Sequence, residues 1–320
     1  MRMDRSKPVV AIIVLNYNSW QDTIDCVSLL LKQNLPDFML IVVDNASSDG
    51  SVDKMKADRT SGSGIKYLAE YQKEEAERGG TAEKENELSK YGPRVKVVLI
   101  KNDKNLGYSA GNNVGIRYAI KKNADAVLIV NPDIRIEDPY TLKKMVETMF
   151  ARNDVFLVGP NVVDTEGNRQ SPLREPSFIE ECLTPFFSAV LKSLGYKALN
   201  YLEPIRSDFP YEVKKVVGCC MLIRSSFLKE SCLLDENVFL FCEEPILAAQ
   251  VNRLGGKILF LPTATAIHLH KNSEKELYKQ FINSRIYYLE KYKKYSIHKI
   301  ATLKYLYGLI NYVKSKKILK

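Results

Sequence analysis

Val9-Val10-Ala11-Ile12-Ile13-Val14-Leu15 is an unbroken, mostly β-branched apolar run that ends at Asn16-Tyr17-Asn18-Ser19. A short run of this kind reads as a strand buried on both faces, as in a parallel sheet. The polar residues after it cap a helix expected over Trp20 to Lys32. Further apolar runs give strands at Met39 to Val43, Val95 to Ile100, Ala126 to Val130 and Phe156 to Val158. Between them the spacing predicts helices over Ala110 to Lys122 and Asp138 to Phe150. Strands alternating with helices define an α/β fold with a mostly parallel central sheet.

Ligands of such sheets bind at the carboxyl ends of the strands. Asn16, Asp44 and Asp133 all fall at strand carboxyl ends, which makes that edge the candidate site. Arg59 to Pro93 interrupts the alternation with a polar stretch, KEEAERGGTAEKENELSKYG at its centre, and reads as an inserted surface loop or weakly ordered helical hairpin. Arg174 to Lys215 carries aromatics and prolines suited to an acceptor cleft.

The chain has 320 residues, enough for one large domain plus an extension. Its net charge of +9 is segregated. Residues 271–320 hold 13 of the 47 basic side chains and 3 of the 38 acidic ones, so the rest of the chain is close to neutral. That distribution argues against nucleic acid as a partner of the main body. The expected division is therefore a domain over 1–270 and a basic helical extension over 271–320. In the extension, Ile300, Leu303, Tyr307, Ile310 and Val313 form an apolar stripe flanked by lysines. The stripe fits either an anionic membrane surface or the catalytic domain. The six cysteines show no CxxC spacing and read as reduced thiols. No apolar run is long enough to span a bilayer, and MRMDRSKP leads into the first strand without a signal-peptide core. The expectation is a cytoplasmic protein whose basic extension either packs on the domain or makes peripheral contact with the inner membrane face.

Four short patterns carry chemistry. Asn131-Pro132-Asp133 puts a carboxylate at a strand end, where it suits a hard cation that also takes oxygens from a substrate diphosphate. Asn105 to Asn113, with Gly107 and Gly111, opens a helix whose free N–H groups and glycines suit close approach to an anion. Its spacing is not the GxGxxG of a dinucleotide site. Glu243-Glu244-Pro245 opens another helix, with proline expected at the first helical position and Glu244 near the N-cap. There the helix dipole favours an ionised carboxylate able to accept a proton. His268 and His270 follow the strand Lys257 to Leu261 and offer ring nitrogens to a metal.

In order, IIVLNYN, VVDNASSDGS, NLGYSAGNNVGI, LIVNPD, VVGCCMLIRSSF, LDENVFLFCEEPIL and HLH closely resemble the family 2 glycosyltransferases of GT-A fold, the bacterial rhamnosyltransferase-like members above all. The resemblance runs from about Val9 to Ser273. It implies a Rossmann-like nucleotide-diphospho-sugar transferase that inverts the sugar's configuration. Asn16, Tyr17, Asp44 and Asn45 would hold the base and ribose. Asn105, Gly107, Asn112, Asn131 and Gly218 would line the donor pocket. Asp133 matches the metal-binding aspartate of the DxD-type motif, and His268 or His270 the downstream histidine. Glu243 and Glu244 match the Glu-Asp pair whose second acid is the base. Ile246 stands where an acid is usual, and glutamate replaces aspartate as the second acid, so either carboxylate remains a candidate. The implied cofactor is Mn²⁺ or Mg²⁺. The implied substrates are a UDP- or dTDP-linked sugar and a glycan or lipid-linked acceptor of cell-surface polysaccharide synthesis. The alternatives are a nucleotidyltransferase, whose glycine-rich basic loop after the first strand is replaced here by NYNSW, and a non-catalytic glycan- or nucleotide-sugar-binding protein.

Overall fold

The computed structural model describes residues 7–61, 65–183, 201–269 and 277–317. The apolar runs become β1 (Val10–Asn16), β2 (Phe38–Asp44), β4 (Lys96–Lys101) and β5 (Ala126–Val130). They pair in parallel, β4-β2-β1-β5. Alternate residues of β1 feed two cores on opposite faces. Val10, Ile12 and Val14 pack in one, Ala11 and Ile13 in the other. Each large side chain so buried contributes about 1.5–3 kcal/mol, so a one-residue slip of register would disturb both cores together.

Beyond β5 the sheet turns mixed. β9 (Cys220–Arg224) runs antiparallel between β5 and β7 (Val155–Asp164). β10 (Lys257–His268) lies parallel to β7 and takes the short β6 (Ile134–Arg135) and β8 (Tyr211–Glu212) antiparallel. The full order is β3-β4-β2-β1-β5-β9-β7-β10-β6. Two strands outrun their expected bounds. β7 continues through Gly159-Pro160 to Asp164, and β10 continues past a register shift after Leu261 to His268.

The segment 59–93 is not a weakly ordered loop. It contributes β3 (Tyr67–Gln72), an edge strand parallel to β4, then α3 (Lys73–Glu77) and α4 (Ala82–Ser89). Tyr71 and Ala76 are fully buried. Glu85 of α4 accepts the hydroxyls of Tyr71 at 2.8 Å and Tyr118 at 2.7 Å and pairs with Lys122 at 2.8 Å, locking the segment onto α5 (Gly107–Lys121). On the exposed edge, Glu70 is held ionised by Lys101 and Lys56.

The remaining helices are α1 (Trp20–Leu30), α2 (Ser51–Ser61), α6 (Thr141–Phe150), α7 (Ser225–Glu230), α8 (Glu243–Arg253), α9 (Leu277–Lys291) and α10 (Ile297–Lys317). Helices α9 and α10 build a third core with Val238, Cys242 and Ile246. Ile300, Leu303 and Tyr307 are buried in it, so this part of the apolar stripe meets protein and is closed to lipid. The side chains of Ile310 and Val313 lie outside the described residues. No described helix is long and apolar enough to cross a membrane. All six cysteines are free.

Candidate active site

Register assembles one side of the site. Asn16 sits directly beside Asp44 across the β1/β2 pair, at the carboxyl edge. Asn16 Nδ2 donates to Asp44 Oδ1 at 2.7 Å and to Ser47 Oγ at 3.0 Å, and its Oδ1 accepts Thr23 Oγ1–H at 2.8 Å. Asp44 Oδ2 in turn accepts the Ser47 N–H at 3.1 Å. Asn16 is fully buried with its side chain committed to these bonds, so it orients Asp44 and leaves a ligand little to touch. Asn45 is likewise buried. Its amide donates to Asn105 Oδ1 and the Gly107 carbonyl, and its oxygen accepts Asn102 Nδ2–H and the Leu106 N–H. Asn105 and Asn45 therefore fix the entry to α5. Tyr17 is half exposed beside them. Asn112 is fully buried and donates to the Tyr108 carbonyl at 3.0 Å, while its Oδ1 has no hydrogen-bond partner among the described residues.

The glycines of the α5 entry divide their work. Gly111 and Gly115 face the sheet, where a Cβ would meet Leu15 at 2.8 Å and Ile13 at 3.0 Å. They serve helix–strand packing rather than a ligand. Gly107 has φ +79°, and a Cβ there would lie 2.2 Å from the Phe239 carbonyl oxygen, which also accepts the Tyr108 N–H at 2.7 Å. That contact joins the α5 entry to the loop before α8.

The opposite side is carried by residues around Cys219. The Asn131 N–H donates to the Cys219 carbonyl at 2.9 Å. The Gly218 N–H donates to Glu244 Oε1 at 3.1 Å, and the Gly218 carbonyl accepts the Tyr108 hydroxyl at 2.7 Å. Burial pushes the Cys219 thiol up, and the nearby Cys220, Asp133 and Glu244 act in the same direction. Glu244 and the turn that carries Asp133 are thus tied to two adjacent residues, Gly218 and Cys219. Asp133 Oδ2 stands 3.2 Å from His268 Nε2. His268 Nδ1 is 2.7 Å from Gln170 Oε1, so the ring is braced between Gln170 and Asp133. The donor set is one carboxylate and one imidazole, which suits a divalent cation with places left for diphosphate oxygens. His270 lies outside the described residues.

Helix α8 begins two residues earlier than the proline suggests. Cys242 is its N-cap and Glu243 its first residue, with Pro245 third, where a missing N–H costs nothing. Phe241 and Cys242 both have positive φ, 71° and 66°. The dipole expectation fails for Glu243. Burial, then the neighbouring charge of Glu244, pushes its carboxyl up to about 8. Burial dominates because a dipole contributes only about 0.3–1 kcal/mol. Glu243 Oε1 is buried and has no hydrogen-bond partner among the described residues.

This has a consequence for stability. Folded Glu243 keeps its proton to about pH 8, whereas an unfolded glutamate releases it near the ordinary value of 4.5. Raising pH through that window therefore subtracts stability from the wild type. Glu243→Gln has no such proton to lose. Its melting temperature relative to wild type is expected to climb between pH 5 and pH 8, and a difference flat in pH would contradict this assignment.

Tyr108, Gln170 and Ser47 were not singled out from sequence. Each matters through a tertiary bond to a residue that was. Of the Arg174 to Lys215 stretch, Phe178 packs against the third core and Phe209 is exposed. Phe186, Phe187 and Tyr196 lie outside the described residues.

A nucleotide-type parallel half joined to a mixed half, with Asp133 and two glutamates about the junction, is the architecture of the GT-A glycosyltransferases. Solved structures agree over most of the chain: GalNAc-T7 with UDP, GalNAc and Mn²⁺ (TM-score 0.56, 13% identity, 91% of this chain and 50% of that one) and the mannosyltransferase PcManGT of Pyrobaculum calidifontis with GDP-Man and Mn²⁺ (0.55, 15%, 94% and 70%). The chain belongs to glycosyl transferase family 2, whose model matches residues 11–79 and 74–231. It is 28% identical over 162 residues to the low-salt glycan biosynthesis hexosyltransferase Agl10 of Haloferax volcanii (50% of this chain, 47% of Agl10). It is 26% identical over 192 residues to the N-acetylglucosaminyl-diphospho-decaprenol L-rhamnosyltransferase of Mycobacterium tuberculosis (56% and 60%). The match to the dTDP-rhamnosyl transferase RfbF of Shigella flexneri is 32% over 108 residues, 31% of this chain and 36% of RfbF. The aligned regions span between about a third and three fifths of these relatives.

Proposed function

We propose that this protein transfers a hexose or deoxyhexose from a nucleoside-diphosphate sugar to a hydroxyl of a glycan or lipid-linked acceptor, with inversion, in cell-surface polysaccharide synthesis. The observation that carries the reading is that Glu244 accepts the Gly218 N–H at 3.1 Å while the Asn131-Pro132-Asp133 turn is bonded to the carbonyl of the adjacent Cys219 at 2.9 Å. In this scheme Asp44, oriented by Asn16, and Tyr17 bind the nucleoside. The α5 entry, held by Asn45 and Asn105, meets the donor. Asp133 and His268 would hold a divalent cation, which when bound supplies positive charge to the leaving diphosphate. Glu243 keeps its proton at neutral pH, which leaves Glu244 as the proton acceptor of the pair. Glu244, fixed by the Gly218 N–H, takes the acceptor hydroxyl's proton as that oxygen attacks the anomeric carbon from the face opposite the diphosphate. One displacement inverts the centre.

The similarity to rhamnosyl- and hexosyltransferases supports the donor class. The exposed lysines of residues 291–304 support contact with an anionic surface by charge. We place the protein on the cytoplasmic side of that surface and read 1–270 as the transferase domain, with 271–320 as its extension. The test is a thermal-shift screen of UDP-, dTDP- and GDP-sugars with Mn²⁺, followed by transfer assays on the stabilising donor. A bound donor at 100 times its Kd adds about 2.7 kcal/mol. No shift with any donor would overturn the reading.

A further inference from the structure

The loop Asp235 to Cys242, which delivers Glu243 and Glu244, is gripped along its length by α9. Asp235 accepts the hydroxyls of Tyr287 at 2.7 Å and Tyr292 at 2.5 Å, and pairs with Lys291 at 3.2 Å. Burial would raise its carboxyl, but the Tyr292 hydroxyl, the side chain and N–H of Asn237 and the Tyr287 hydroxyl together hold it well below the usual range. The buried Ser284 hydroxyl donates to the Leu240 carbonyl at 2.7 Å. Arg285 is buried in an ion pair with Glu181, and its guanidinium lies beside the Cys242 thiol. Val238, Cys242 and Ile246 share a core with Ile286 and Leu289 of α9. On the loop's other side, the Phe239 carbonyl is bonded to the α5 entry.

The loop ends in two consecutive non-glycine residues of positive φ, Phe241 and Cys242. Such a conformation persists only where surrounding contacts over-determine it. The contacts that do so here come from α9. Ser284 bonds the residue before the pair, and Arg285 stands against its second member. A relaxed loop would release Cys242 from the N-cap position and swing both carboxylates away from Gly218 and Cys219.

We infer that Ser284 and Arg285 are positioning residues for the Glu243–Glu244 pair, so that the basic extension is a working part of the site. This rests on the reading of the pair as the proton acceptor. Ser284→Ala in the full chain is expected to lower kcat at least tenfold while donor KM stays within twofold, because the donor side touches neither residue. Ser284→Thr, which keeps the hydroxyl, should restore most of the rate. For Arg285 the charge-neutral pair Arg285→Met/Glu181→Leu avoids stranding a buried glutamate and should reproduce the kcat loss. All variants are compared at a temperature where each is folded by near-ultraviolet circular dichroism. If Ser284→Ala and the double variant turn over at the wild-type rate, or if Ser284→Thr is as slow as Ser284→Ala, the inference is wrong. Should the Glu243/Glu244 variants retain activity, the underlying reading fails instead, and the two results are separable.

Discussion

Glu243→Gln/Glu244→Gln is expected to turn over about 10³-fold more slowly than wild type, with donor affinity changed less than twofold. A sugar hydroxyl is far too weak an acid to lose its proton unaided at neutral pH, so the attacking oxygen needs an acceptor for that proton as its bond to carbon forms. Glutamine keeps the shape of both side chains, and its amide oxygen still accepts the Gly218 N–H that Glu244 holds at 3.1 Å. The fold and the donor side are left intact, and only basicity is lost. A 10³-fold loss equals about 4 kcal/mol in the barrier. The single variants divide the roles. Glu244→Gln alone should account for nearly all of the loss. Glu243→Gln should cost less, because that carboxyl already holds a proton at neutral pH. Stopped transfer assays at saturating donor measure both, and undiminished turnover by the double variant would refute the scheme.

Asp133→Ala is expected to lower kcat/KM by about 10²–10³-fold, the usual effect of removing one charge-stabilising contact to a transition state. The variant should also lose the melting-temperature rise that Mn²⁺ plus nucleoside diphosphate gives wild type. The geometry explains why His268 cannot compensate. Its ring is oriented by Gln170 so that Nε2 faces Asp133, and one imidazole without the carboxylate is a poor site for a hard cation. Wild-type turnover by Asp133→Ala at equal Mn²⁺ would remove the cation from the proposal.

The strands of the parallel half were legible because burial on both faces leaves an unbroken apolar run, as in Val9 to Leu15. β3 was not. Tyr67-Leu68-Ala69-Glu70-Tyr71-Gln72 lies at an edge and interleaves polar residues, and its buried Tyr71 is satisfied by Glu85, fourteen positions on. β7 was cut short because Gly159-Pro160 reads as a turn, whereas Gly159 is there to admit Val216, whose side chain a Cβ would meet at 2.5 Å. At the site, the acids could be picked out because few residue types bind cations or accept protons. What remained hidden was which polar groups face a ligand and which face each other. Asn16 and Asn45 read as contacts but are internal braces. Gln170, Ser284 and Arg285 are anonymous in sequence, because their importance is created by the distant partner each one meets.

The grip of α9 on the loop before α8 also sets an order of events during synthesis. Asn16, Asp44, Asn105 and Asp133 leave the ribosome early, and the clasp that seats the two glutamates leaves more than a hundred residues later. A chain that ends before α9 therefore lacks the contacts that seat the loop carrying Glu243 and Glu244.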